Sequence, residues 1–164
     1  MHGDDFAGEA PLESLLFVEK ILLSKFQTKR VAIIGPGMDA SGKVLNRTIS
    51  WNVSGFHWHA DPTHSERIVE QLGLTQGKPS DVPVSKSVGK TVTARLEPLS
   101  EEDAASYASN ADSGLFHALD RPDLQFTVGR LMSHISCPNE LDQLCLKLFG
   151  RYLIDKTECV WHYE

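Results

Sequence analysis

Cysteine is scarce in this chain of 164 residues. Cys137, Cys145 and Cys159 are the whole set, and no two stand in C-x-x-C spacing. An odd, scattered set fits free thiols in a reducing compartment better than a disulfide framework. Basic charge is also in short supply. Lys and Arg number 16 against 22 Asp and Glu, for a net charge of -6, which argues against a free-standing nucleic-acid binder. No apolar run approaches the length that spans a bilayer, so no membrane partner is expected. No charged-then-apolar leader opens the chain. An intracellular protein is expected, cytoplasmic or nuclear. There is no internal repeat and no low-complexity tract. What is present is ordinary for a folded chain: 41% apolar and 23% charged residues, enough for one domain or two small lobes. Two sequons, Asn46-Arg47-Thr48 and Asn52-Val53-Ser54, read as chance matches without a secretory signal.

The pattern of apolar residues divides the chain. From Pro11 to Phe26, Leu12, Leu15, Leu16, Val18, Ile21, Leu22, Leu23 and Phe26 largely follow helical spacing and predict an amphipathic helix. Val31 to Ile34 reads as a short strand stopped by Gly35-Pro36-Gly37. Val44 to Trp51 and Phe56 to His59 alternate around Ser54-Gly55, the pattern of a β-hairpin. Asp61-Pro62 predicts the start of the next helix, with Ile68, Val69 and Leu72 as its apolar stripe and Gly73 as its stop. Residues 75–99, rich in Ser, Pro, Gly, Lys and Thr, read as a tether between two lobes. Ser100 to Asp103 resembles a capping box with Asp in the acidic position, so a helix should run from there to about Leu119. Pro122 and Pro138 are expected to start two more helices, and Val160 to Tyr163 to form a final short strand. The expected fold is α+β.

Four groups of residues could carry chemistry. Asp4-Asp5 is a pair of hard oxygen donors suited to Mg²⁺, as in two-metal phosphoryl transfer. That chemistry needs a further carboxylate from another strand, and nothing before the pair supplies one, so half a site is expected. Gly37 to Lys43 fits G-x-x-x-x-G-K, but Val44 stands where Ser or Thr would hold Mg²⁺, and a strand is expected where a P-loop needs a helix. A Gly-rich hairpin loop is the simpler reading. His57, His59 and His64 could offer imidazoles to zinc, but no fourth ligand is suitably spaced, Phe56 and Trp58 explain the strand as a packed hairpin, and surface histidines are the simpler reading. In Asp120-Arg121-Pro122-Asp123, Asp120 can cap, Pro122 can start a helix and Asp123 suits its positive end, leaving Arg121 for an acidic neighbour or a phosphate.

In their order along the chain these pieces resemble part of a copia-type retrotransposon polyprotein. The resemblance runs from the last catalytic motif of the reverse transcriptase to just before the RNase H domain, and covers nearly the whole chain. His2-Gly3-Asp4-Asp5 is similar to the Tyr-x-Asp-Asp palm motif, with His2 in place of tyrosine. The helix to Phe26 resembles the palm helix after it, and Val44 to Arg47 with Ile49 and Trp51 resembles the hairpin beyond that helix. Ala60 to His64 with Ile68 to Leu74 resembles the thumb helix, and Lys78-Pro79 and Val82-Pro83 the linker beyond it. Asp120 to Asp123 with Phe126 and Val128, and Arg151-Tyr152-Leu153, are similar to two signatures in the helices after the thumb. Tyr107-Ala108 lacks the arginine that often follows this tyrosine. Asn110, Ala111 and Asp112 lie where the family's helix is more apolar, and Asp112 is expected to fit a core-facing turn poorly.

The resemblance implies a division into a partial palm with hairpin (1–60), a thumb helix (61–74), a tether (75–99) and a helical, connection-like lobe (100–164). It implies Asp4 and Asp5 as catalytic, metal-binding residues, Mg²⁺ as cofactor and an RNA or DNA template-primer as partner. The function implied is that of a fragment of an RNA-directed DNA polymerase, inactive in isolation. Two alternatives stay open at the level of sequence. One is a non-catalytic nucleic-acid or protein-interaction remnant, using the basic tether residues Lys78, Lys86, Lys90 and Arg95. The other is a small P-loop-like nucleotide-binding protein using Gly37 to Lys43.

Overall fold

The computed structural model describes residues 6–84 and 96–164. Asp4 and Asp5, and with them Lys86, Lys90 and Arg95, lie outside the described residues. The described chain is mixed α+β, with five helices and a four-stranded antiparallel sheet. It divides into two compact units. The described residues up to 59, with 160–164, form the first, and the described residues between 60 and 159 the second. This grouping differs from the expected one in two places. The expected thumb helix packs with the later helices, so the segment expected to tether two lobes instead connects two helices within one unit. The last strand belongs with the sheet, not with the helical lobe.

In the first unit, helix α1 spans Leu12–Lys25 and buries none of its residues. Arg30 pairs with Glu19 and ties the segment after the helix back to it. The expected strand at Val31 to Ile34 is reduced to one bridge, Ile34 to Asp39. The alternating stretch from Val44 is not one strand but the end of one and all of the next. Strand β1 (Ser41–Val44) and strand β2 (Arg47–Asn52) pair with Val44 opposite Arg47, leaving Leu45-Asn46 as a two-residue turn. Both turn residues have positive φ, 49° and 65°. That is the backbone a two-residue hairpin needs to match strand twist, and Asn tolerates it where Leu does not. Leu45→Asn is therefore expected to stabilise this unit by about 1 kcal/mol. All three tryptophans, Trp51, Trp58 and Trp161, lie in this unit, so their fluorescence in a urea titration reads the change. A loss of stability would mean that the contacts of the Leu45 side chain outweigh its backbone strain.

Strand β3 (Gly55–His59) returns from β2 across Val53-Ser54, as the hairpin pattern predicts. Asn52 Oδ1 accepts from the Ser54 N–H at 2.8 Å and closes that turn. Strand β4 (Val160–Tyr163) adds to the other side of β3, giving the order β1-β2-β3-β4. Gly55 is required by this arrival, because a Cβ there would stand 2.2 Å from the Tyr163 carbonyl oxygen. Opposed residues share a face. Ile49, Trp58 and Trp161 form one row and Trp51, Phe56 and Tyr163 the next, so one face is apolar and aromatic. Ala32 and Ile34 lie against it at Gly42. The other face carries Ser50, His57 and His162 in one row, and Thr48, His59 and Val160 in the next.

The second unit holds the main core. Helix α2 (Thr63–Gln71) starts one residue later than expected. Pro62 is its cap residue, and Asp61 Oδ1 accepts from the Thr63 N–H at 3.0 Å. Gly73, with φ of 65°, ends it as expected, and Leu74 N–H donates to Val69 C=O across the stop. Helix α3 (Glu101–His117) begins at Ser100, whose hydroxyl accepts from the Asp103 N–H. Helix α4 (Pro122–Ser133) has Pro122 at its first position. Helix α5 (Glu140–Leu153) is capped by Asn139 in a full capping box with Asp142, one residue past the proline expected to start it.

Helix α3 is the hub and packs on α2, α4 and α5. Small residues make that possible. Ala111 and Gly114 are buried, and a Cβ at Gly114 would touch Phe149 and Val128 at 3.3 Å. Asp112 is exposed and points away from the core, so the fit problem expected there does not arise. Tyr107 is fully buried and donates its hydroxyl to the Leu131 carbonyl at 2.8 Å. Ile68, Leu124, Leu146, Phe149 and Leu153 close the core.

Candidate functional site

The four sequence-derived groups fare differently. Asp4 and Asp5 lie outside the described residues. In Gly37 to Lys43, Lys43 sits on strand β1, and the chain continues through the Leu45-Asn46 turn into strand β2. No helix N-terminus stands behind the loop, so the backbone lacks the converging N–H groups that hold a phosphate. Of the three histidines, His57 and His59 share the polar face of the sheet, while His64 lies in helix α2 of the other unit. Among the described residues no group of three His, Cys, Asp or Glu side chains could hold a metal ion.

The fourth group, Asp120 to Asp123, leads to the densest polar network in the second unit. Arg121 is 1% exposed, a burial that a charged side chain tolerates only with full pairing. Its guanidinium is matched at every face. Nε donates to Asp123 Oδ1 at 2.9 Å and Nη2 to Asp123 Oδ2 at 2.8 Å, a two-pronged ion pair. Nη1 donates to the carbonyls of Lys156 at 2.8 Å and Thr157 at 3.4 Å. Asp123 Oδ2 also accepts from the Tyr152 hydroxyl at 2.9 Å. Burial pushes the Asp123 carboxyl up, but the bonds from Arg121 and Tyr152 outweigh it and hold the group below its ordinary range. Burial alone would weaken the Arg121 base; its bonds to Asp123 more than compensate.

His117 completes the network, at 2% exposure. Its Nε2 lies 2.6 Å from the buried Ser65 hydroxyl on α2 and 3.4 Å from Arg121 Nη1. Ser65 Oγ also lies 3.3 Å from the Thr157 carbonyl oxygen, which can only accept, so the hydroxyl ties His117 to the chain after α5. Burial first, and the Arg121 charge second, push the His117 pKa down to about 4.

A serine hydroxyl at 2.6 Å from an imidazole is the spacing of a nucleophile and its general base. Here the chemistry is blocked. Ser65 is 0% exposed and offers no approach to a substrate. A base depressed to about 4 is poorly matched to proton abstraction at neutral pH. The arrangement is a latch: one arginine joins the end of α3, the start of α4, the face of α5 and the chain after it, and His117 carries the connection on to α2. Local sequence physics found Pro122 at the helix start but assigned Asp123 to the helix dipole. It missed Ser65, His117 and Tyr152. The available signal was His117 standing one helical turn before Arg121. A shallow cavity lined by Glu66, Val69, Glu70, Thr75, Ile154 and Thr157 opens on the same unit. No described helix is long and apolar enough to cross a membrane. The chain matches no family model, no curated protein and no solved structure.

Proposed function

We propose that this chain is a palm, thumb and connection segment of an RNA-directed DNA polymerase of the copia retrotransposon type, without polymerase activity by itself. One observation carries the reading. The two post-thumb signatures of the resemblance, Asp120 to Asp123 and Arg151 to Leu153, meet through the Tyr152 hydroxyl on Asp123, 29 residues apart in sequence. Sequence segments recognised separately for their likeness to one family thus share a single structural role. In this reading α1 is the palm helix, β2 and β3 the palm hairpin, and α2 the first thumb helix. Asp4 and Asp5 would hold Mg²⁺, for which carboxylates are the right hard-oxygen donors. The ion's contribution when bound is to stabilise the attacking and leaving oxygens of phosphoryl transfer. Two adjacent carboxylates fall short of the donor set of a metal pair, which is why the isolated chain is assigned no activity.

The test is primer extension on an RNA template with a DNA primer and Mg²⁺. The 164-residue chain alone should extend nothing. Joined to the coding sequence that precedes Met1 in its genome, it should extend the primer. Asp4→Asn or Asp5→Asn should then lower the rate at least about a hundredfold, the scale expected for lost metal stabilisation of the transition state. Extension by the chain alone overturns the inactivity. Extension indifferent to both aspartates, or none from the joined protein, overturns the assignment.

A further inference from the structure

We propose that His57 and His162 form a two-imidazole binding site for a divalent transition-metal cation of the zinc class on the polar face of the sheet. The two residues come from distant parts of the sequence and stand directly opposite each other on β3 and β4. Their rings stack with centroids 4.7 Å apart and planes 17° from parallel. Hydrogen bonding sets the tautomer of one ring. His162 Nε2 lies 2.6 Å from the Ser54 carbonyl oxygen, which can only accept, so Nε2 carries the proton. The lone pair of the neutral ring is therefore on Nδ1. An imidazole that donates one N–H to a carbonyl and keeps the other nitrogen bare is the arrangement that orients a metal-ligating histidine.

The second ring supplies an independent sign. His57 Nδ1 is buried and has no hydrogen-bond partner. A buried imidazole nitrogen without a partner calls for an explanation, and a bound ion is one. His59, on the same face, is engaged with the Ser50 hydroxyl at 3.1 Å.

Imidazole nitrogen selects borderline cations such as zinc over magnesium or calcium. Zinc–nitrogen bonds of about 2.1 Å place two ligating nitrogens about 3.5 Å apart, and ligating lone pairs lie in the ring planes, so binding requires the His57 ring to turn out of the stack towards Nδ1 of His162 while His162 keeps its bond to Ser54. His162 is exposed, so a cation meets that ring first, and the turn of His57 brings its Nδ1 to the ion. With two protein ligands, the remaining positions fall to water. The pair differs from the His57, His59 and His64 set considered from sequence, because the sheet sets His162 opposite His57 and His64 lies in the other unit.

The test is titration of the full chain with zinc chloride by calorimetry. A saturable one-to-one event is expected, at least tenfold weaker in His57→Ala and in His162→Ala and unchanged in His64→Ala. Zinc should also move the imidazole nitrogen resonances of His57 and His162 selectively. Tryptophan fluorescence verifies that the sheet of each variant is intact, and His57→Gln and His162→Gln repeat the test with a side chain that can still hydrogen-bond. Absence of a saturable event, or binding undiminished in either variant, overturns the proposal.

Discussion

Replacing Arg121 with alanine or methionine is expected to cost the helical unit about 3–5 kcal/mol, the penalty for breaking a buried ion pair from one side. The loss is large because the guanidinium is shared. Without it, Asp123 loses both prongs of its ion pair, and the Lys156 carbonyl loses the arginine's 2.8 Å bond. A domain of ordinary stability holds about 5–15 kcal/mol in all, so the variant should be marginal or unfolded at room temperature. Lysine should not rescue it. An ammonium cannot place parallel bonds on both Asp123 oxygens and also reach the two carbonyls. Urea denaturation followed by far-UV circular dichroism measures the effect. Tryptophan fluorescence, confined to the other unit, serves as an internal control. A change below about 1 kcal/mol would mean that water replaces the guanidinium without strain, and that the latch is not what holds the helices together.

The second large effect is on pH dependence. His117 has a folded pKa of about 4 against an ordinary value of 6.5, lowered by burial, by the Arg121 charge and by His64, with Asp123 and Asp120 opposing. The unfolded chain therefore binds the proton first. Stability from this group is fully present above pH 6.5 and is lost as pH falls towards 4. At about 1.4 kcal/mol per pH unit, the displacement corresponds to about 3 kcal/mol. The physical event is an imidazolium forced beside a guanidinium, 3.4 Å away. Urea midpoints measured from pH 7.5 to 4 should fall steeply in the wild type. In His117→Gln, which keeps a polar partner for Ser65, the slope over that window should shrink by most of this amount. Equal slopes in the two proteins would show that His117 is solvated or protonated in the folded state.

Much of the architecture was legible from residue pattern. Pro11 to Phe26, the stop at Gly73, the cap at Ser100 and the start at Pro122 are local signals. Each acts through its own backbone groups within a turn of helix, and each is found close to where it was read. The hairpin at Ser54-Gly55 is of the same kind. The reading slipped where local signals compete. Val44 to Trp51 alternates like one strand, but pairing of Val44 with Arg47 bends it at Leu45-Asn46. Val31 to Ile34 has strand composition but no neighbour to complete a ladder, and it is left with one bridge.

Sequence alone determined the mixed α+β class and most helix ends, because these rest on periodicity and capping over short stretches. Only the tertiary structure decided what the charged and imidazole side chains do. It grouped α2 with α3, α4 and α5, made Arg121 a buried cross-link paired with Asp123, and kept the His117 ring neutral. It also set His162 against His57 across more than a hundred intervening residues. The physical reason is common to all of these. The state of a buried charge depends on which groups replace its lost water, and those groups come from wherever the chain returns, not from its neighbours in sequence.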